Sequence, residues 1–162
     1  MITIYYAFVY STVVQNIIIW GGISDSKIKL IEVTLNKILR IILNVRLNEN
    51  RIPSMPTNFM YKSLNLLKFK DVYKYFLLKF FHYALFRNSN IFEVYYQHLV
   101  SNHRYHTRNN IINLPYVRLN IQKHFTIFQS CKLANELPGI FLEPQSDGQL
   151  KSRFKKFSIA QY

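Results

Sequence analysis

Ser24 to Arg46 reads SDSKIKLIEVTLNKILRIILNVR, and its apolar positions Ile28, Ile31, Leu35, Ile38, Ile42 and Val45 step by three and four throughout. That period is one face of an α-helix, and Ser24, Asp25 or Ser26 can accept the first free backbone N–H groups as a cap. Lys27, Lys29, Lys37, Arg40 and Arg46 fall off the stripe. The helix can therefore bury one side and hold its cations in solvent. Those cations are equally the ordinary occupants of a solvated helix face.

Further helices are expected on both sides of this one. Met1 to Ser24 holds no charged side chain, and its length suits either a transmembrane helix or a buried core helix; Gln15, Asn16 and the tyrosine hydroxyls favour the core helix. Trp20-Gly21-Gly22 is expected to end it, with glycine in the left-handed C-cap conformation. Asn48 to Pro56 reads as a loop, because Pro53 and Pro56 stop a helix. Thr57 or Asn58 can cap a short helix through Leu64. Lys70 to Phe86, KDVYKYFLLKFFHYALF, is apolar on most sides, with Val72, Tyr73, Phe76, Phe80 and Tyr83 expected on the packing side. A further short helix is expected over Ile91 to Val100.

Beyond residue 101 the character changes. His103 to Asn110 is polar and basic, and the shorter apolar runs NLPYVRLN and KHFTIFQSCKLANELP suggest brief strands or extended segments. Pro138-Gly139 breaks the chain. A last amphipathic helix is expected from Asp147 to Phe157, packing Leu150, Phe154 and Phe157 and exposing Lys151, Arg153, Lys155 and Lys156. The fold class is mainly α: a helical bundle over residues 1–100, with a basic loop, short extended segments and a terminal helix over 101–162 packed on it as one domain.

Composition narrows the function. Twenty-one Lys and Arg stand against eight Asp and Glu in 162 residues, a net charge of +13 that gathers polyanions by long-range attraction. Hydrophobic residues make up 49% of the chain, which sets it apart from a disordered basic tail. The eight acids are scattered singly, whereas two-metal polymerases and nucleases hold clustered carboxylates around paired cations. His103 and His106 lack a Cys or acid at zinc-site spacing. Cys131 stands alone, which suits a reducing compartment. With four glycines and neither a G-x-G-x-x-G nor a G-K-[ST] pattern, a nucleotide-cofactor enzyme is not expected, and no cofactor is assigned to this chain.

The segment His103-Arg104-Tyr105-His106-Thr107-Arg108 combines guanidinium forks for phosphate with rings for stacking on bases. It can equally be a structural loop in which Arg108 bridges backbone carbonyls or an acid such as Glu136.

In order and spacing, these pieces resemble the region C-terminal to the polymerase core in jockey-like, non-LTR retrotransposon reverse transcriptases. A helix ending in Ile17-Ile18-Ile19-Trp20-Gly21 is followed by Ile31, Leu35 and Leu39-Arg40-Ile41-Ile42. Then come Met60, Ser63-Leu64-Asn65-Leu66-Leu67, Phe69 and Asp71-Val72-Tyr73. The family's Y-x-T-R matches Tyr105-His106-Thr107-Arg108, its W-N-x-L-P matches Ala134-Asn135-Glu136-Leu137-Pro138, and its S-F-K-x-x-[LF] matches Ser152 to Phe157. Ala134 departs from the family's Trp, Gln15-Asn16 stand where Tyr-Gly is common, and the last helix is only loosely matched, as in a diverged copy.

The resemblance implies a thumb and post-thumb piece of an RNA-directed DNA polymerase whose palm and endonuclease lie upstream, so that this chain alone is catalytically silent. It implies an intracellular site of action, in nucleus or cytoplasm, with an RNA or DNA backbone and the polymerase domains as partners. Arg40, Arg104, Arg108, Lys151, Arg153, Lys155 and Lys156 are the expected phosphate contacts and Tyr105 the stacking residue. The alternatives are a small basic protein anchored in a membrane by its first helix, and a non-functional retroelement remnant.

Overall fold

The uncharged start of the chain does become helical, but in pieces. The computed structural model describes residues 2–47, 55–86, 112, 114 and 118–162, apart from the side chains of 44–47 and 121. Helix α1, Ile2–Ile4, passes into a π-helical segment, Tyr5–Tyr10, then α2, Ser11–Val14, and α3, Ile17–Trp20. Between α2 and α3, Gln15 turns to ψ 115° and Asn16 takes the left-handed conformation at φ 55°. Asparagine is one of the few residues with a side chain that tolerate this region. The indole Nε1 of Trp20 donates to the Gln15 carbonyl at 2.7 Å, satisfying an acceptor that the break leaves open.

Two expectations are corrected here. The run is not one buried helix: Tyr5 and Ile17 are buried, but Phe8 and Ile19 are 72% and 80% exposed. Among the described residues no helix is long and apolar enough to cross a membrane. Nor does glycine end the run in a left-handed cap, since Gly21 sits at φ −68°, ψ −16°. Glycine is needed at this position for space, because a Cβ there would lie 2.3 Å from Cδ2 of Tyr73.

Helix α4, Asp25–Leu47, follows the expected stripe and widens it. Ile28, Leu35 and Ile42 are buried with Leu39 and Leu43, Ile31 and Ile38 are half-buried at the margin, and the side chain of Val45 lies outside the described residues. Helix α5, Thr57–Ser63, starts at Pro56 without a side-chain cap. It ends in a Schellman motif. Leu66 N–H donates to the Tyr61 carbonyl at 2.8 Å and Asn65 N–H to the Lys62 carbonyl at 3.1 Å, with Asn65 at φ 53°. Leu66 then packs with Met60 and Tyr61.

The described residues fall into two compact units, Met1–Tyr73 with Lys155–Tyr162, and Lys74–Phe154. In the first, Tyr5, Leu39, Ile42, Leu43, Met60, Tyr61, Leu64 and Leu66 form one core cluster. The last residue is fastened to this unit by its side chain. Tyr162 Oη donates to Asp71 at 2.5 Å and accepts from the Lys68 N–H at 2.9 Å, while Lys68 Nζ lies 4.4 Å from the ring centroid.

Helix α6, Phe69–Phe86, is apolar on most sides as expected, but its packing side is not the expected one. Phe69, Val72, Tyr75, Leu77, Leu78, Phe81, His82 and Ala84 are buried, whereas Tyr83 is 46% exposed and Tyr73, Phe76 and Phe80 are half-buried. A helix greasy all round gives periodicity little to choose between, and only its neighbours decide.

In the second unit the extended segment expected over KHFTIFQSCKLANELP is replaced by helix α7, Thr126–Glu136, preceded by a 3₁₀ turn at Asn120–His124, whereas the one expected over NLPYVRLN lies largely outside the described residues. Ser130, Cys131, Leu133 and Ala134 form its inner face, a period of three and four that Gln129 and Lys132 interrupt in the sequence. No strand occurs among the described residues. Phe81, Ala84, Ile112, Cys131 and Ala134 make the local core. Asn135 locks Ile112 into it: Nδ2 donates to the Ile112 carbonyl at 2.8 Å and Oδ1 accepts its N–H at 2.9 Å. The expected helix over 91–100 lies outside the described residues.

Candidate nucleic-acid interface

The terminal helix forms as the sequence requires. Helix α8 spans Asp147–Ala160 and begins in a reciprocal cap. Gln149 N–H donates to Ser146 Oγ at 3.4 Å, and Ser146 N–H donates to Gln149 Oε1 at 3.2 Å. Leu150 and Phe154 are each 1% exposed, and the Phe154 ring lies 6.0 Å from both Tyr75 and Phe141. The Phe141 carbonyl in turn accepts a hydrogen bond from the buried His82 Nε2. With one side so fixed, Lys151, Ser152, Arg153 and Lys156 are held in solvent.

The charge on that outer face is of one sign. Asp147, the acid of α8, is 3.0 Å from Lys79 and lies in the first turn, where the helix dipole favours a carboxylate. Arg153 Nη1 is 3.3 Å from Gln145 Oε1, which leaves most of its guanidinium fork unused. Lys155 is half-buried and engaged within the chain. Exposed cations mounted on a rigid helix can neutralise a run of phosphates and release the counterions those phosphates hold.

Arg40 is placed differently. It is half-buried on α4, and its Nε is enclosed without a hydrogen-bond partner, as is Asn36 Oδ1 one turn earlier. Arg104, Tyr105 and Arg108, with His103 and His106, lie outside the described residues. Sequence reasoning passes over Arg118, Lys123 and Lys132, which are exposed in the second unit. All three stand in segments whose pattern reads as extended. Lys132 is 3.9 Å from Glu136, an exposed pair of little energetic weight.

Burial pushes the Cys131 thiol up to about 11, against a lowering hydrogen bond from Ser130, so at neutral pH it is a protonated packing group. Among the described residues, no three His, Cys, Asp or Glu side chains gather to hold a metal ion. Comparison with protein-family models, with curated proteins and with solved structures finds no match to this chain.

Proposed function

We propose that this chain binds the sugar-phosphate backbone of RNA, or of a primer duplex, as a non-catalytic part of a retrotransposon-type RNA-directed DNA polymerase. The observation that carries the binding reading is the outer face of α8, where Lys151, Arg153 and Lys156 are exposed on a helix whose one acid faces Lys79. The net charge of +13 supports it. The retroelement assignment rests on the order of the sequence fragments, among them Asn135, for which the clamp on Ile112 supplies a structural reason. An intracellular site of action follows from that assignment.

Titrating single-stranded RNA against rising salt tests the binding. Two or three phosphate contacts predict that log K falls against log salt with a slope of about −0.7 for each phosphate neutralised. A flat response overturns the reading. A palm-domain reading frame immediately upstream in the source genome supports the assignment to a polymerase, and nucleotide incorporation by the purified chain contradicts its silent role.

A further inference from the structure

Helix α4 is apolar on two opposite arcs. Ile28, Leu35, Leu39 and Ile42 are buried on the inner one, while Leu30, Val33 and Ile41 are 70%, 50% and 61% exposed. These three share an outward stripe by their three-, eight- and eleven-residue spacings. Lys37 lies within the stripe, and Lys27 and Lys29 flank its start; all three are exposed. Among the described residues none of the three has an ion-pair partner. Asp25, at the head of the helix, is 3.1 Å from Lys70.

We propose that this stripe is a docking face for an anionic lipid bilayer, on which α4 lies in the plane of the headgroups. Aliphatic side chains ringed by lysines are the pattern of an interfacial helix, whose apolar atoms enter the acyl boundary while its cations meet lipid phosphates. Lys37 decides between occupants. At the centre of a protein–protein contact a lysine is disfavoured, because its ammonium would be stripped of water. At a bilayer its stem lies along the apolar surface and the charge rises to the headgroups. A second copy of the chain fits poorly for the same reason, since an isologous contact uses the same patch on both copies and would bring the lysines of both into one interface in a molecule of charge +13. The stripe lies on one helix, and a fluid surface accepts it without a matching groove.

Sedimentation of the full chain with vesicles tests this, using phosphatidylcholine alone and phosphatidylcholine with phosphatidylserine. Binding is expected to the mixed vesicles, weaker by about fivefold for each lysine neutralised among Lys27, Lys29 and Lys37. Leu30→Ser with Ile41→Ser is expected to reduce it by at least about tenfold while circular dichroism and RNA affinity stay as they were. Should that pair disturb the fold, Lys37→Glu serves instead: loss of vesicle binding with an unchanged spectrum supports the proposal. Equal binding of the α4 variants and the parent chain overturns it, as does equal binding to neutral vesicles. No vesicle binding, with the same substitutions abolishing a dimer or the capture of an acidic protein, assigns the face to that partner and overturns it too. Lys151→Gln with Lys156→Gln, by contrast, leaves vesicle binding within about twofold and weakens RNA binding, so the two faces are told apart.

Discussion

On α4 the arc turned away from the core carries Leu30, Val33 and Ile41 among lysines, whereas on α8 it carries Lys151, Ser152, Arg153 and Lys156 and no exposed large apolar side chain. The inner faces are built alike. Leu39 on one and Phe154 on the other are almost wholly enclosed, at 0% and 1% exposure. The difference teaches that a helix's cations do not define its use until the residues between them are known. Polar spacers leave a face that attracts phosphates at long range and gains little from dehydration. Aliphatic spacers make a face that also gains by leaving water.

The comparison breaks first if inner and outer arcs are not energetically distinct. Leu39→Ala should cost about 2–5 kcal/mol and Phe154→Ala about 3–5 kcal/mol, since each leaves a cavity in a packed cluster. Leu30→Ser on the outer arc should stay within about 0.5 kcal/mol. Urea unfolding followed by circular dichroism measures all three, and a loss at Leu30 comparable to that at Leu39 would mean that α4 buries both faces.

A second distinction concerns the cores these helices join. The cluster that α4 enters contains Tyr5 and Tyr61. Burial, with smaller repulsion from Tyr6 and Tyr10, pushes the Tyr5 phenol from 10.0 up to about 12. Burial likewise raises Tyr61, with repulsion from Tyr5 and Glu32 adding to it. A phenol raised in the fold keeps its proton longer than in the unfolded chain. The stability it contributes is therefore present below pH 10.0 and is lost as pH rises through the folded value. For Tyr5 the window runs from pH 10.0 to about 12. Within it, the parent chain should lose about 1.4 kcal/mol per pH unit for each such phenol, and Tyr5→Phe should remove one share. Denaturant midpoints taken across that window check the slope, and an unchanged slope in Tyr5→Phe would refute the assignment.

The same residues show what the sequence could and could not reveal. The inner stripes of α4 and α8 were legible, because three-and-four spacing among aliphatic residues has few other solutions. Lys151, Arg153 and Lys156 were placed in solvent from that pattern alone, but Lys155, expected beside them, and Phe157, expected in the core, are both half-buried. The packing side of α6 was not legible, since a helix apolar all round carries no direction of its own. Helix α7 was missed because Gln129 and Lys132 cut its apolar run into lengths that suit strands. Gly21 serves a purpose other than the expected left-handed cap for a reason outside local sequence: the ring of Tyr73, far along the chain, fills the space where a side chain at position 21 would stand. Of the expected contacts, Arg40 is half-buried, and its enclosed Nε could not be foreseen from a cation lying off the stripe.

The helix starts offer a smaller test. Ser146 Oγ accepts the Gln149 N–H on α8, whereas Ser24 Oγ is 3.2 Å from Ser26 Oγ ahead of α4. Ser146→Ala should therefore cost about 1 kcal/mol and Ser24→Ala only a few tenths. Thermal midpoints of the two variants, measured side by side, would reverse if the hydroxyl at position 24 were the true cap.

The smallest effect on stability is also the sharpest on function. Lys151→Gln and Lys156→Gln replace exposed side chains and should leave the fold within about 0.5 kcal/mol. Each should lower the salt slope of RNA binding by about 0.7 if its ammonium neutralises one phosphate, and the double variant by about twice that. Arg40→Met provides the contrast. It removes a cation from α4 together with an enclosed N–H that lacks a partner, so stability should hold or rise slightly while the slope stays near that of the parent chain. Equal slope losses from Arg40→Met and Lys151→Gln would mean that RNA responds to net charge alone. A loss confined to the α8 lysines places the phosphates along the polar face, because screening by salt acts on every cation, whereas counterion release counts only those that touch the strand.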